Sequence, residues 1–209
     1  WMRGDFTDEG KLLLLGSALY VWDSFPEDAN EAPNLSVLGG YEKWGASFLK
    51  ATDHTTLTVA GERVFITTNS HTISVYNSIP ISEDQKPDLV IGGPDIYTNM
   101  LQANYFIMNP IPASDGNSLF VASDAGYFYV WKNIPDESGV APDYIYSVGP
   151  DSIAFSVGDV TLYEDTLILG GRDMLLKWDQ LPLEGQTPDL LLKGQIGSVQ
   201  IGNVSNESL

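Results

Sequence analysis

The sequence contains no cysteine and few basic residues. The absence of cysteine excludes disulfides, thiolate metal ligands and a cysteine nucleophile. Ten Lys and Arg residues stand against 28 Asp and Glu residues, which gives a formal net charge of −18. Because clustered Lys and Arg are what bind nucleic acid and anionic membrane surfaces, neither is expected as a partner.

Long apolar runs are also missing. Runs such as Leu12–Leu15 have the length of a strand, whereas a membrane-spanning helix needs roughly 20 apolar residues. No basic leader with an apolar core is present, so we expect a mature or excised segment that begins at Trp1. The Asn-x-Ser acceptors at Asn34, Asn203 and Asn206 favour export. We therefore expect a secreted, periplasmic or cell-surface protein.

The composition is that of a folded chain rich in strands. Hydrophobic residues make up 43% of the sequence and charged residues 18%, which provides enough apolar material for a packed core. Aromatic residues reach 11% and pack well on pleated, half-buried surfaces. No segment shows a sustained 3.6-residue apolar period, so the pattern predicts an all-β protein.

One phrase occurs four times along the chain. It consists of an aromatic residue, two further residues, an apolar residue and a proline. The aromatic residues are 54, 55 and 47 positions apart, a spacing typical of propeller blades. The four copies run from Trp22 to Pro26, from Tyr76 to Pro80, from Trp131 to Pro135 and from Trp178 to Pro182.

A second anchor follows each phrase. It is a proline followed by Asn or Asp, and it lies 7, 7, 7 and 6 residues beyond the first proline. We expect the prolines to stiffen loops at strand ends, where a missing N–H costs little. We expect the recurring aromatic residue to pack between neighbouring blades. The second anchors are Pro33-Asn34, Pro87-Asp88, Pro142-Asp143 and Pro188-Asp189.

Each copy contains the pattern of four short strands, and the second copy shows it best. Strands are predicted over 57–60, 63–68, 72–77 and 88–91, separated by Gly61-Glu62, by a polar turn at 69–71 and by a loop bounded by prolines. A β-sandwich would also explain short strands, but not why two proline anchors recur once every four strands. The sequence therefore predicts a β-propeller of four-stranded antiparallel blades.

The blades are expected at about 1–40, 41–93, 94–149 and 150–194, with 195–209 leading to a next blade. The whole of 1–209 is one propeller domain or a segment of one. We expect the four blades to be part of a larger ring, completed by further sequence or by another chain; the alternative is a ring closed by four blades alone. Propellers have typically 4 to 8 blades.

This succession of strand, turn, strand, aromatic residue, Ile-Pro, loop and Pro-Asp resembles bacterial NHL-repeat propellers over nearly the whole chain. Members of that family commonly have an acidic residue in the turn between the second and third strands, and here Asp124 and Asp173 match it whereas Asn69 replaces it. The resemblance implies a propeller fold. It leaves the function open, because such propellers bind protein, RNA or carbohydrate and some are hydrolases or lyases.

Catalytic and metal-binding motifs are weak. His54 and His71 lack a metal-ligand spacing, and no Gly-x-Ser-x-Gly nucleophile elbow occurs. The acidic turn that begins at Asp8 lacks the spaced oxygen ligands of an EF-hand loop. No catalytic residue, metal site or cofactor is therefore predicted, and calcium would suit the acidic composition without a motif to hold it.

The candidate ligand site lies on the face that carries the loops between blades and the turns between second and third strands. Aromatic side chains beside carboxylates and amides suit a sugar ring or a peptide. We therefore predict a non-catalytic scaffold that binds a protein or a glycan, with self-association or a second chain completing the ring. The alternative is a hydrolase or lyase acting on a carbohydrate or lactone-like substrate at the central channel. The candidate residues are Tyr41, Trp44, Asn69, His71, Tyr97, Asp124, Arg172 and Asp173.

Overall fold

The structure is a computed structural model of all 209 residues. It describes residues 2–38, 42–43, 46–47, 56–67, 72–96, 107, 109–123, 126–147, 157–171, 174–196 and 199–201. Every structural statement below concerns these residues.

The strands follow one another in four groups. The first group is β1 (Arg3–Phe6), β2 (Leu12–Leu15), β3 (Ala18–Trp22) and β4 (Leu35–Leu38), followed by a hairpin of β5 (Glu42–Lys43) and β6 (Ala46–Ser47). The second is β7 (Leu57–Ala60), β8 (Arg63–Thr67), β9 (Ile73–Tyr76) and β10 (Leu89–Ile91). The third is β11 (Ile111–Ser114), β12 (Leu119–Ala122), β13 (Tyr127–Trp131) and β14 (Tyr144–Ser147). The fourth is β15 (Val157–Tyr163), β16 (Thr166–Gly171), β17 (Met174–Trp178), β18 (Leu190–Ile196) and β19 (Val199–Ile201).

Each group forms one antiparallel sheet in which neighbours along the chain are neighbours in space. The first strands of the groups, β1, β7, β11 and β15, adjoin one another in that order and face a common channel. The four sheets, blades 1 to 4, are therefore arranged around this channel as four blades of a β-propeller, and the predicted fold class is confirmed. Strand β19 pairs with β18 at the outer edge of blade 4. Within the described part of the chain, no helix is long and apolar enough to cross a membrane.

Three apolar cores fill the seams between consecutive blades. The blades stack face to face, so the strands of blades 2 and 3 are covered on both sides: β9 and β12 are buried along their whole length. Each seam includes the recurring aromatic residue of the later blade. Tyr76 packs against blade 1, Trp131 against blade 2 and Trp178 against blade 3, all at most 1% exposed. The expected packing of this residue between blades is confirmed for these three copies.

The recurring aromatic residue also fixes the loop that follows it. In three blades its indole N–H donates to a backbone carbonyl 8 or 9 residues further on, at 2.9 to 3.1 Å. The tyrosine of the second copy has no such bond, and its buried hydroxyl is unpaired among the described residues. The pairs are Trp22 with Glu31, Trp131 with Val140 and Trp178 with Gln186.

The Asn or Asp of the second anchor closes the same loop. In all four blades its side-chain oxygen accepts from the backbone N–H of the residue after the recurring aromatic, at 2.8 or 2.9 Å. This bond holds the start of the fourth strand beside the end of the third, so the repeat encodes the closure of one loop per blade. The acceptors are Asn34, Asp88, Asp143 and Asp189, and the donors are Asp23, Asn77, Lys132 and Asp179.

Candidate functional site

All eight candidate residues predicted from the sequence lie outside the residues that the structure describes. They are Tyr41, Trp44, Asn69, His71, Tyr97, Asp124, Arg172 and Asp173. The predicted aromatic loop face therefore stays a prediction, and two other features of the described residues provide geometry: the central channel and a groove at one seam.

The central channel is a cavity of about 440 Å³ bounded by one stretch from each innermost strand. Successive side chains of a strand point to opposite faces, so each stretch directs some groups towards the neighbouring blades and exposes its backbone to the channel. Hydroxyl and carboxyl groups predominate among its polar side chains. The lining residues lie at 2–5, 56–59, 111–114 and 159–162.

Asp5 is the half-buried carboxylate of this channel. Its Oδ2 accepts from the backbone N–H of Val59 in blade 2 at 2.7 Å, and its Oδ1 accepts from the N–H of Phe6 at 2.8 Å. Burial raises the pKa of Asp5 above its ordinary value, and the two N–H donors, which favour the charged form, only partly offset this. Asp5 therefore connects two blades, and its burial makes its charged form less favourable than that of an exposed aspartate.

The channel hydroxyls are also used between or within blades. The Thr58 hydroxyl donates to the carbonyl of Pro112 in blade 3 at 2.8 Å. The Thr56 and Thr67 hydroxyls lie 2.9 Å apart, and the Ser114 hydroxyl donates to the carbonyl of Ser118 at 2.6 Å. These bonds position the innermost strands around the channel. Chemically, they leave Asp5 and the exposed Asp159 as the two carboxylates that line it.

Metal-ligating side chains are not gathered anywhere in the part of the chain that the structure describes. No three or more His, Asp or Glu residues within it lie close enough together to hold an ion. The expectation that no cofactor is bound, with calcium as the possible exception, stays a prediction.

We predict that Asp5→Ala lowers the free energy of unfolding by about 1–3 kcal/mol, because it leaves the N–H of Val59 without its acceptor in a part-buried seam. Asp5→Asn keeps one acceptor oxygen for the N–H of Val59, loses the acceptor of the exposed N–H of Phe6 and removes the cost of burying a charge. Its free energy of unfolding at neutral pH should therefore be higher than that of Asp5→Ala. Urea unfolding of the two variants measures the contrast.

The pH dependence of the same variants is a second measurement. A carboxyl group whose pKa is raised in the folded state stabilises the fold below its unfolded pKa of about 3.9. This stabilisation is lost as pH rises through the folded pKa. Asp5→Asn should therefore gain in stability over the parent across that window and keep the gain at higher pH. A constant difference at all pH values would contradict the burial argument.

The second feature is a groove of about 450 Å³ where the first two blades meet, on the face that carries the turns between first and second strands. Its apolar element is Ile81, which is 73% exposed, with half-buried Ile79 beside it. Its rim is acidic, and Lys11, the one cation among its described lining residues, forms an exposed ion pair with Glu9 at 3.6 Å. We call this the seam groove; it is lined by Thr7, Asp8, Glu9, Lys11, Gly61, Glu62, Ser78, Ile79 and Ile81.

Sequence reasoning missed the seam groove. The residue after the first proline of each repeat is acidic in the first and third copies, as Glu27 and Asp136, and apolar in the second and fourth, as Ile81 and Leu183. Leu183 packs against the core between blades 3 and 4 whereas Ile81 is exposed, so the sequence pattern alone does not single out Ile81. The acidic rim could not be found in this way, because it comes from a different blade.

Comparison with known proteins identifies no family for this chain. No family model matches the sequence, and no curated protein matches it. Among solved structures, BamB from Moraxella catarrhalis is 15% identical, with a TM-score of 0.46 over 93% of this chain and 53% of BamB. Raptor from Chaetomium thermophilum is 14% identical, with a TM-score of 0.49 over 92% of this chain and 16% of Raptor. The chain thus spans about half the length of BamB.

Proposed function

We propose that this chain is a non-catalytic binding scaffold that recognises a partner protein through exposed loop side chains. The observation that carries the proposal is the seam groove, where an isoleucine that is 73% exposed stands in an acidic rim. A large apolar side chain left in water at a concave site is a typical anchor for a partner.

The chemistry of the groove indicates the kind of partner. Asp8 and Glu62 come from the turns of two neighbouring blades and line the groove together with Ile81. A segment with one apolar side chain flanked by Lys or Arg would place the apolar group on Ile81 and its cations on these carboxylates. The net charge of −18 would add long-range attraction for such a segment and would exclude acidic ones.

The repeat itself supports a scaffold. The recurring aromatic residues and the Asn or Asp anchors are engaged in seam packing and loop closure, as Trp131 and Asp143 illustrate. The blades can therefore keep their fold while other loop residues vary, which is how propellers present different binding surfaces.

The experiment is a screen of a random peptide library displayed on phage against the purified chain. We expect enrichment of peptides with an apolar residue between basic ones. For a selected peptide, Ile81→Asp and Glu62→Lys should each weaken binding by about tenfold or more, measured by fluorescence anisotropy.

The matched control is Ile145→Asp, the same substitution at an exposed isoleucine of blade 3. It should leave the affinity unchanged. Enrichment of acidic peptides, or equal affinities of all three variants, would contradict recognition at the seam groove.

The predicted aromatic loop face is a second part of the proposal and would take a protein or a glycan. Tyr41, Trp44 and Tyr97 would stack on sugar rings or on peptide side chains there, supported by the amides and carboxylates of the short turns. Trp44→Ala and Tyr97→Ala, probed on a glycan array and on the peptide library, separate this face from the seam groove.

The kinship with NHL-repeat propellers and a secreted, periplasmic or cell-surface setting belong to the same proposal. Self-association would use a different surface, at the two ends of the blade series.

A second candidate function is a hydrolase or lyase of the central channel. It is favoured by one observation: Asp5, whose pKa burial raises, lines the same cavity as Asp159. A carboxyl group whose pKa is raised is better suited to act as a general acid than an ordinary one. Turnover of carbohydrate or lactone substrates that Asp5→Asn abolishes, and that the seam-groove variants leave intact, would support this function over the first.

A further inference from the structure

The three packed seams define what covers each face of a blade. The leading face of a blade is the side that packs on the preceding blade. It is formed by aligned residues of the first three strands, which in blade 2 are Val59, Val64 and Tyr76. The trailing face is the opposite side, which packs on the following blade; in blade 2 it includes Phe65, Ile73 and Val75. The strand registers place equivalent residues in the other blades.

The leading face of blade 1 is uncovered. Phe6 and Phe25 are 47% and 67% exposed, although Val59 and Ile79, their equivalents in blade 2, lie in the seam with blade 1. The two rings stack on each other at 6.2 Å between centroids, and Trp22 is only half-buried. This face has the apolar composition of a seam and no blade against it among the described residues.

The trailing face of blade 4 is uncovered in the same way. Tyr163 and Leu190 are 71% and 41% exposed. Ile168 and Leu175 are half-buried, whereas the residues at these two positions in blades 1 to 3 are fully buried. The fully buried equivalents are Leu13, Phe65 and Phe120 for Ile168, and Leu19, Ile73 and Phe128 for Leu175.

Polar groups of the innermost strands also indicate that the trailing face of blade 4 lacks a neighbouring blade. Asp5 in blade 1 and Thr58 in blade 2 hold equivalent positions, and each bonds to the backbone of the next blade. Thr161 holds this position in blade 4 and is exposed. Its side chain therefore lies on the trailing face, where its hydroxyl can bond to the backbone of a following blade.

We propose that a second copy of this chain covers both faces, with blade 4 of each copy packed on blade 1 of the other. The two uncovered faces are the two halves of one seam, so the established seams continue from one chain into the next in the same register. A pair joined twice in this way is closed and twofold symmetric. It has eight blades, the upper end of the usual propeller range, so a third copy has no place in the ring.

Lys177 is compatible with this seam. Its equivalents are the buried valines Val21, Val75 and Val130. Lys177 is paired with Asp179 at the rim, where both remain partly exposed. Its methylene stem can therefore cover apolar surface while its ammonium group stays with its partner in water.

The first experiment is the solution mass of the purified chain by light scattering and sedimentation. We expect twice the 22.8 kDa of one chain. Phe6→Glu should weaken dimerisation by about 30-fold or more, because it places a charge in the seam. The control is Ile81→Glu, at another exposed apolar residue, which should leave the dimer intact. A chain that is monomeric at all accessible concentrations overturns the proposal.

The second experiment uses the absence of native cysteine. The bond from Val59 to Asp5 shows which positions meet across a seam, and it places Thr161 of one copy against Phe6 of the other. A mixture of Phe6→Cys and Thr161→Cys chains should form one mixed disulfide dimer under oxidation, and neither variant alone should. A mixture of Phe6→Cys and Ile81→Cys chains is the control and should form none.

The double variant Phe6→Cys/Thr161→Cys decides between closure in pairs and closure within one chain. Disulfide-linked dimers on a non-reducing gel support the proposal. A disulfide within a single chain overturns it, because blade 4 would then pack on blade 1 of the same copy. These outcomes do not depend on the seam groove, so they are distinct from the outcomes that test peptide recognition.

Discussion

Trp131→Ala is expected to lower the free energy of unfolding by about 3–5 kcal/mol. Trp131 is 1% exposed and fills the seam between blades 2 and 3, and its indole N–H donates to the carbonyl of Val140 at 3.1 Å. The substitution therefore opens a cavity between two blades and releases a loop. Urea unfolding followed by circular dichroism measures the loss.

Two control variants separate the contribution of the indole hydrogen bond from that of packing in the seam. Trp131→Phe keeps most of the packing and loses the indole bond, so it should cost about 1 kcal/mol beyond its smaller volume. Trp22→Ala removes the equivalent residue where no seam covers it and should cost roughly 1 kcal/mol or less. Because Trp22 lies on the leading face of blade 1, these comparisons are made in the Phe6→Glu background, in which pairing is weakened. Equal losses for Trp22→Ala and Trp131→Ala would contradict a role in seams.

The strands of the second blade were predictable because local chemistry determines them. The expected strand over 57–60 agrees with Leu57–Ala60, and 63–68 and 72–77 enclose Arg63–Thr67 and Ile73–Tyr76. The turn between the first two strands needs a residue with positive φ, and Gly61 supplies it at 61°. Residues that act within one hairpin leave a pattern that sequence reasoning can recognise.

The function of the second anchor was not predicted, although its spacing was visible. The acceptor Asp143 lies 11 residues after its donor Lys132, and the other copies have the same or nearly the same separation. The prolines beside these residues suggested stiff loops, while the hydrogen bond belongs to the Asn or Asp. A recurring spacing indicates that two positions matter together, but not which atoms meet.

The candidate site was the least predictable part of the chain. The seam groove joins residues 7–11 with 61–62 and 78–81, so it exists only once two blades have packed. Exposure of Leu190 likewise depends on whether a neighbouring blade is present, since its equivalents are apolar or aromatic in every copy: Leu35, Leu89 and Tyr144. Composition and periodicity describe a blade, whereas binding surfaces arise between blades.

Val130→Lys is expected to destabilise the fold by on the order of 3–5 kcal/mol, or to prevent folding. Val130 is fully buried in the seam between blades 3 and 4, at the position that Lys177 occupies in blade 4. An ammonium group there would be removed from water without a partner. Lys177 is tolerated because its ammonium group pairs with Asp179 at the rim, where both side chains remain partly exposed. The free energy of unfolding in urea tests the difference.

Two further variants distinguish charge from size. Val130→Met enlarges the side chain without charging it and should cost only about 1–3 kcal/mol. Lys177→Val, the reverse change, should leave the fold intact and strengthen the pairing of two copies. The pKa of a lysine buried at 130 would be lowered in the folded state, so the stability of Val130→Lys should rise as pH increases towards about 10.4, the unfolded value. A loss that is the same for Lys and Met and constant with pH would show that the seam rejects volume rather than charge, and Lys177 would then not mark an end of the blade series.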